Sequence, residues 1–244
     1  MFSLMRIPAV LLALSLSVVW SGGVPTGAEA QSSNAVIDNF EQDGDGDYPS
    51  NWVYVTSGGD VYDVSREMDD DDEWARVQKE DGRSFLRTYA EGTALRITAR
   101  NDEEFDWSLN EKPWLEWTWR INNYPEGADE TRKSANDTAA AIYVTFGTDW
   151  LGRPKSIKYT FSSTLGIGTT DQQGPLRLMV IDSPSNQGVG DWTTIRRNIP
   201  ADYRQLFGED PPNDPISITI WSDSDTISGQ VSSADFDEIR LLRP

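Results

Sequence analysis

The sequence LEWTWRI at Leu115–Ile121 decides the fold class, because hydrophobic and polar residues alternate strictly along it. A period of two residues is typical of a β-strand with one buried face. It places Trp117 and Trp119 together on the apolar face, and large aromatic residues dominate protein cores. Glu116 and Arg120 fall on the opposite face. We therefore predict a strand whose tryptophans are buried and whose charged residues face outward.

The same period recurs in other segments, chiefly Ile142–Phe146, Ile157–Phe161 and Ile216–Ile220. Gly, Pro, Asn and Asp clusters separate these from shorter candidate strands, which gives about a dozen strands in total. At most one short helix is expected, at Pro200–Phe207, with Gly208 just past its end. The pattern predicts an all-β, jelly-roll-like sandwich of two antiparallel sheets. A single barrel is the alternative architecture.

The N-terminus has the features of a secretory signal peptide. Arg6 precedes an apolar run from Ile7 to Trp20, and small residues lead to Ala28-Glu29-Ala30. We expect cleavage after Ala30, which divides the chain into a signal peptide (1–30) and a single β-sandwich domain (31–244). The run is short for a bilayer span, which takes about 20 apolar residues, so stable membrane insertion after cleavage is not expected. The predicted location is secreted or periplasmic.

The composition excludes several kinds of chemistry. The 244 residues include no His and no Cys, which excludes Ser-His-Asp triads, His-based zinc sites, thiol nucleophiles and disulfides. Paired carboxylates, Tyr and Lys remain as groups for proton transfer. The net charge of −19 disfavours nucleic acid and anionic lipid as partners. It also predicts adaptation to high salt, where counter-ions screen the repulsion between carboxylates.

Several motifs occur in an order that resembles a bacterial family known as domain of unknown function 3047. After Leu115–Ile121 come PEGAD and NDTAAAIYVTF, and the last motif is DFDEI. These later motifs are Pro125–Asp129, Asn136–Phe146 and Asp235–Ile239. The resemblance implies a jelly-roll-like sandwich similar in outline to carbohydrate-binding modules, and it implies no assigned activity. Ala141 and Phe161 stand where the resemblance leads us to expect Arg and Trp.

One candidate site is a set of aromatic and charged residues on the polar faces of strands. Trp221 shares a face with Ser217 and Thr219, opposite the isoleucines of its strand. With Tyr143 it is predicted to form a sugar-binding platform, since aromatic rings stack on sugar faces and charged groups bond hydroxyls. The alternative is that a loop or short helix covers this face. The predicted ligand-binding residues are Trp221, Tyr143, Arg120, Glu116 and Lys158.

The second candidate site consists of carboxylates at strand ends. Asp223 and Asp225 follow the strand that ends at Trp221, and Asp137 immediately precedes another strand. If those strands are neighbours, the three carboxylates meet and offer hard oxygen ligands for calcium, or an acid/base pair. The alternative is that each carboxylate caps a turn. No other metal or cofactor is expected.

These observations favour an exported sandwich that binds a glycan or cell-surface polysaccharide without cleaving it. Fold analogy is part of that inference, and a fold does not determine a function. A carboxylate-dependent polysaccharide hydrolase or lyase is the second hypothesis, and a structural envelope protein is the third. The oligomeric state is left open by the sequence.

Overall fold

A computed structural model describes residues 34–244 except 57, 69, 187 and 188. The predicted signal peptide at residues 1–30 lies outside the described residues. The described chain forms fourteen strands in two sheets and two short helices, α1 (Val64–Glu67) and α2 (Ile199–Phe207). The two-sheet sandwich predicted from the alternating pattern is confirmed. The short helix predicted from the sequence is α2, and α1 is a further single turn of four residues that was not predicted.

The six-stranded sheet has the order β12-β7-β14-β5-β4, with β1 paired to β14. Every pairing in it is antiparallel. Its strands are β1 (Ala35–Asp38), β4 (Glu73–Glu80), β5 (Arg83–Glu91), β7 (Trp114–Asn123), β12 (Trp192–Asn198) and β14 (Val231–Leu242).

The eight-stranded sheet has the order β10-β11-β9-β8-β13-β6-β2-β3. The pairing of β11 with β9 is parallel, and the other pairings are antiparallel. Its strands are β2 (Val53–Val55), β3 (Val61–Asp63), β6 (Ala94–Arg100), β8 (Thr138–Thr148), β9 (Pro154–Phe161), β10 (Thr170–Gln173), β11 (Leu176–Asp182) and β13 (Ser217–Asp223).

The core lies between the sheets and is centred on the tryptophans of β7. Trp117 and Trp119 are completely buried, as the alternation predicted. The Trp117 ring packs 5.8 Å from that of Tyr159 on the opposite sheet. The Trp119 indole Nε1 donates to Asp182 Oδ2 at 3.0 Å, which satisfies a buried polar group and joins the two sheets.

Helix α2 begins and ends with recognisable capping interactions. The Asn198 side chain accepts a hydrogen bond from the backbone N–H of Ala201 at 3.0 Å, and Pro200 occupies the first turn. Gly208 ends the helix with a φ of +77°, a left-handed conformation that glycine adopts without strain. The helix packs Tyr203 into the core. Among the described residues, no helix has the length and apolar character needed to cross a bilayer.

The outer face of the six-stranded sheet is closed by ion pairs around a buried carboxylate. Asp235 on β14 is fully buried and accepts from Arg87 Nε and Arg120 Nε, each at 2.7 Å. Both arginines also reach Glu80 on β4. A buried charge is tolerated when it is paired and hydrogen-bonded, so these pairs hold β4, β5, β7 and β14 together on their outer side.

We predict that Asp235→Asn lowers the free energy of unfolding by about 3 kcal/mol, because two partly buried guanidinium groups lose the buried one of the two carboxylates that they share. Urea denaturation followed by tryptophan fluorescence measures the change. Glu126→Gln, at an exposed position, is the control and is expected to change little. Equal stabilities for Asp235→Asn and the wild-type protein would contradict the structural role of the pair.

Candidate functional site

A cleft of about 880 Å³ lies on the outer face of the eight-stranded sheet. Its floor consists of side chains from the central strands β6, β8, β9 and β13. The β8–β9 and β10–β11 turns form one side, and the end of β2 with the chain after β6 forms the other. Lining residues from the floor are Arg96, Thr98, Arg100, Tyr143, Thr145, Ser156, Ser217, Thr219 and Trp221.

Four side chains on adjacent strands cross the sheet at this point, and we call them the central row: Arg96, Trp221, Tyr143 and Lys158. The Arg96 guanidinium carbon is 5.8 Å from the Trp221 ring centroid. The Trp221 and Tyr143 rings are 5.4 Å apart and inclined at 43°. Lys158 Nζ lies 5.6 Å from the Tyr143 ring. The row therefore has a cation at each end and two aromatic rings between them, a spacing at which cations and rings attract.

The alternation along β13 explains why Trp221 reaches the cleft. Ile218 and Ile220 are fully buried between the sheets, so Thr219 and Trp221 face outward, as predicted. Ile216 departs from the prediction that grouped it with the core isoleucines. It lies just before the start of β13, is 47% exposed and lines the cleft. Trp221 and Tyr143 are both half-buried.

Two of the predicted platform residues lie elsewhere. Arg120 and Glu116 are on β7 of the six-stranded sheet, so the prediction of a common face with Trp221 is wrong. Arg120 is engaged by Asp235 and Glu80, and Glu116 lies 3.6 Å from Arg240. The alternation gave the correct polar face for each strand, but it carries no information about which sheet a strand joins.

Sequence reasoning missed Arg96, the first residue of the central row. It lies on β6, where Leu95 and Ile97 are buried and Arg96 therefore faces outward. The available signal was the same alternation within Ala94–Thr98, one of the shorter candidate strands of the sequence. Its register opposite Trp221, which sets the contact, is a property of the sheet pairing.

Burial shapes the chemistry at the Lys158 end of the row. Lys158 is only 4% exposed, and Tyr143 is packed between it and Trp221. Burial raises the pKa of the Tyr143 hydroxyl, and the nearby Lys158 charge partly opposes this shift. Tyr143 is therefore a neutral hydroxyl at physiological pH, able to donate and accept hydrogen bonds.

The three carboxylates predicted as a metal site do converge. One oxygen from each of Asp137, Asp223 and Asp225 lies within 4.8 Å of the others. Asp137 also accepts from the backbone N–H groups of Thr226 and Ile227 at 3.0 and 2.8 Å, which agrees with the alternative of turn capping. None of the three lines the cleft. Calcium binding by this cluster stays a prediction.

Burial raises the pKa of Asp223 to about 6, and the charge of Asp225 adds to this shift. A carboxyl with a raised pKa stabilises the folded state most below its unfolded pKa of about 4, and this contribution is lost as the pH rises through 6. We predict that, in EDTA, the stability contributed by Asp223 falls by up to about 3 kcal/mol between pH 4 and pH 7. Asp223→Asn removes that dependence.

Urea denaturation at each pH measures this dependence, with Asp102→Asn as the control at an exposed carboxylate. Identical pH profiles for Asp223→Asn and the wild-type protein would contradict the assignment. Repeating the series with calcium tests the metal prediction, because a shared cation favours the ionised carboxylates and removes the loss of stability near pH 6. Overlapping profiles with EDTA and with calcium would show the metal prediction to be wrong.

Comparison with solved structures finds likenesses of fold. The family 11 carbohydrate-binding module of a cellulosomal cellulase of Clostridium thermocellum is 11% identical, with 87% of this chain and 95% of that chain covered and a TM-score of 0.40. A module of family 28, specific for non-crystalline cellulose, is 13% identical, with coverages of 86% and 95% and a TM-score of 0.42. A family 27 module described for mannan recognition is 11% identical, with coverages of 87% and 96% and a TM-score of 0.34.

Comparison with curated proteins finds no match. The family model described as "Protein of unknown function (DUF3047)" matches residues 65–240, which contain β4 to β13, all four strands of the cleft floor and most of β14. This agrees with the resemblance carried by the motifs around β7 and β14. The chain belongs to the DUF3047 family of proteins of unknown function.

Proposed function

We propose that the protein is an exported module that binds a polysaccharide chain along the cleft of the eight-stranded sheet and does not cleave it. The observation that carries the proposal is the central row, in which two half-buried rings form part of the cleft floor. Sugar rings present apolar C–H faces that pack on aromatic side chains, and binding sites combine such surfaces with a few polar groups.

The polar groups around the rings suit the hydroxyls of a sugar chain. Thr98 and Thr219 share a hydrogen bond at 2.9 Å, as do Thr145 and Ser156, and all four hydroxyls belong to residues that line the cleft. Hydroxyls both donate and accept, so each pair can exchange part of its bonding for a ligand hydroxyl. The floor is built on central strands, which favours a site formed before the ligand arrives.

The arrangement of carboxylates supports binding over hydrolysis. Glycosidases need two carboxyl groups on either side of the scissile bond. Among the described residues that line the cleft, Glu103 is the only carboxylate, and Asp137, Asp223 and Asp225 lie outside the lining. The cleft also gives the protein a concave surface, which a purely structural envelope role does not require.

We predict that Trp221→Ala weakens binding about 30-fold, because truncating a central aromatic contact typically costs about 2 kcal/mol. The binding polymer is first identified on a panel of soluble neutral and acidic polysaccharides, and its affinity is measured by titration calorimetry. Trp74→Ala is the matched control, since Trp74 is half-buried on the other sheet and stacks on Tyr89 at 5.4 Å. Unchanged affinity in Trp221→Ala would end the proposal.

The β8–β9 turn extends the cleft beyond its floor. Its residues Gly152 and Arg153 line the cleft, while Trp150 at its tip is 88% exposed. The turn is fixed by the Asp149 carboxylate, which accepts from the backbone N–H groups of Leu151 and Arg153, each at 2.9 Å, and from the Arg153 side chain. An exposed tryptophan on an ordered turn is a suitable contact for a chain that continues past the floor.

We predict that Trp150→Ala weakens binding of the long polymer about threefold to tenfold and leaves binding of a short oligosaccharide unchanged, because only a long chain reaches the turn. Calorimetry with both ligand lengths measures the difference. Val36→Ala removes an exposed apolar side chain from the six-stranded sheet and serves as the control. An equal loss for both lengths would show that Trp150 does not form an outer subsite.

A further inference from the structure

The cations that line the cleft differ in whether the protein neutralises them. Arg100 pairs with Glu104, at 2.5 Å between Nη2 and Oε1, and also donates through Nε at 3.1 Å. Arg153 pairs with Asp149 through Nε and Nη2 at 2.8 and 2.7 Å. These two arginines are therefore already occupied by carboxylates of the protein.

Arg96 has no such partner. Among the described residues, its guanidinium forms no hydrogen bond and has no carboxylate within 4.0 Å, and its contacts are the rings of Tyr54 at 5.5 Å and Trp221 at 5.8 Å. Its charge lowers the pKa of Glu73, although burial raises that pKa overall, and the two groups are beyond ion-pair distance. In a chain with 40 acidic and 21 basic residues, a half-buried arginine without a carboxylate partner is a departure from the general pattern.

The chemistry of Arg96 favours one kind of ligand. A guanidinium between aromatic faces keeps its planar edge available, and that edge binds a carboxylate through two parallel hydrogen bonds. A neutral sugar lying over Arg96 would remove water from the charge without supplying a counter-charge, which is costly. The carboxylate of a sugar acid supplies the counter-charge to Arg96 while a sugar ring of the same chain stacks on the adjacent Trp221.

We infer that the polysaccharide bound in the cleft carries carboxylate groups, as polymers of uronic acids do, and that Arg96 selects it by pairing with one of them. This inference rests on the proposed function. Lys158, at the other end of the central row, does not line the cleft and its charge interacts with Glu130 and Asp223, so the pairing rests on Arg96 alone. The net charge of −19 repels a polyanion at long range, as it does nucleic acid, but salt at physiological strength screens exposed charges beyond about 8 Å, so the local charge of Arg96 decides this pairing.

The test compares each acidic polymer with the same polymer after methyl esterification of its carboxylates, which removes the charge and keeps the sugar backbone. The probes are polygalacturonate and alginate with their methyl esters, and neutral glucan and mannan. We expect one or both acidic polymers to bind, with at least a tenfold loss of affinity on esterification. Arg96→Gln is expected to bind the acid at least tenfold more weakly and to bind acid and ester alike.

Two further variants keep the result interpretable. Arg132→Gln removes one exposed positive charge outside the cleft and is expected to retain the preference for the acid. Arg96→Lys keeps the positive charge but cannot form two parallel hydrogen bonds to a carboxylate. It is expected to prefer the acid over the ester, with reduced affinity. Thermal unfolding of each variant confirms that it is folded.

The outcomes separate this inference from the proposed function. Trp221-dependent binding of neutral polymers, with no effect of Arg96→Gln, overturns the acidic specificity and leaves the proposed function intact. If no polymer binds in a Trp221-dependent manner, both fail. Preference for the acid that persists in Arg96→Gln also overturns the inference, because the charge would then be recognised elsewhere.

Discussion

The alternation of residues along β7 is the constraint on which the rest of the structure depends. Because Trp117 and Trp119 must point into the core, the side chains that alternate with them, such as Glu116 and Arg120, must point away from it. The Trp119 indole also needs a buried acceptor, and Asp182 on the opposite sheet supplies it. A shift of one residue would expose both tryptophans, bury charges and break that hydrogen bond, so the register of the strand is strongly determined.

Both sheets have alternating strands, but their outward-facing side chains differ in how charge is paired. On the six-stranded sheet, charged outward residues of four strands pair with one another around Asp235, so these charges are already neutralised within the protein. On the eight-stranded sheet, the outward residues are mostly hydroxyls, two aromatic rings and Arg96, whose charge has no carboxylate partner among the described residues. The difference in how charge is balanced is what marks the second surface as the one suited to a ligand.

The sequence predicted those features that depend on neighbours along the chain. The long alternating segments became β7, β8, β9 and β13, and the outward direction of Trp221 followed from its neighbours Ile218 and Ile220. The short edge strands β3 and β10 were missed, because three or four residues are too few to establish a period. The separation of Arg120 from Trp221 could not be predicted either, since alternation specifies a face and the assignment to a sheet depends on long-range pairing.

The outer faces of the six-stranded and eight-stranded sheets also differ in which substitutions they tolerate. Changing Asp235 or its arginines disturbs several strands at once, so a substitution there is expected to lower the population of folded protein. Arg96 and the cleft hydroxyls lie on strands whose order is secured from the core side, by Ile97, Ile218 and Ile220. Such positions can be exchanged at little cost in stability, and this freedom would let related chains acquire different ligands on an unchanged framework.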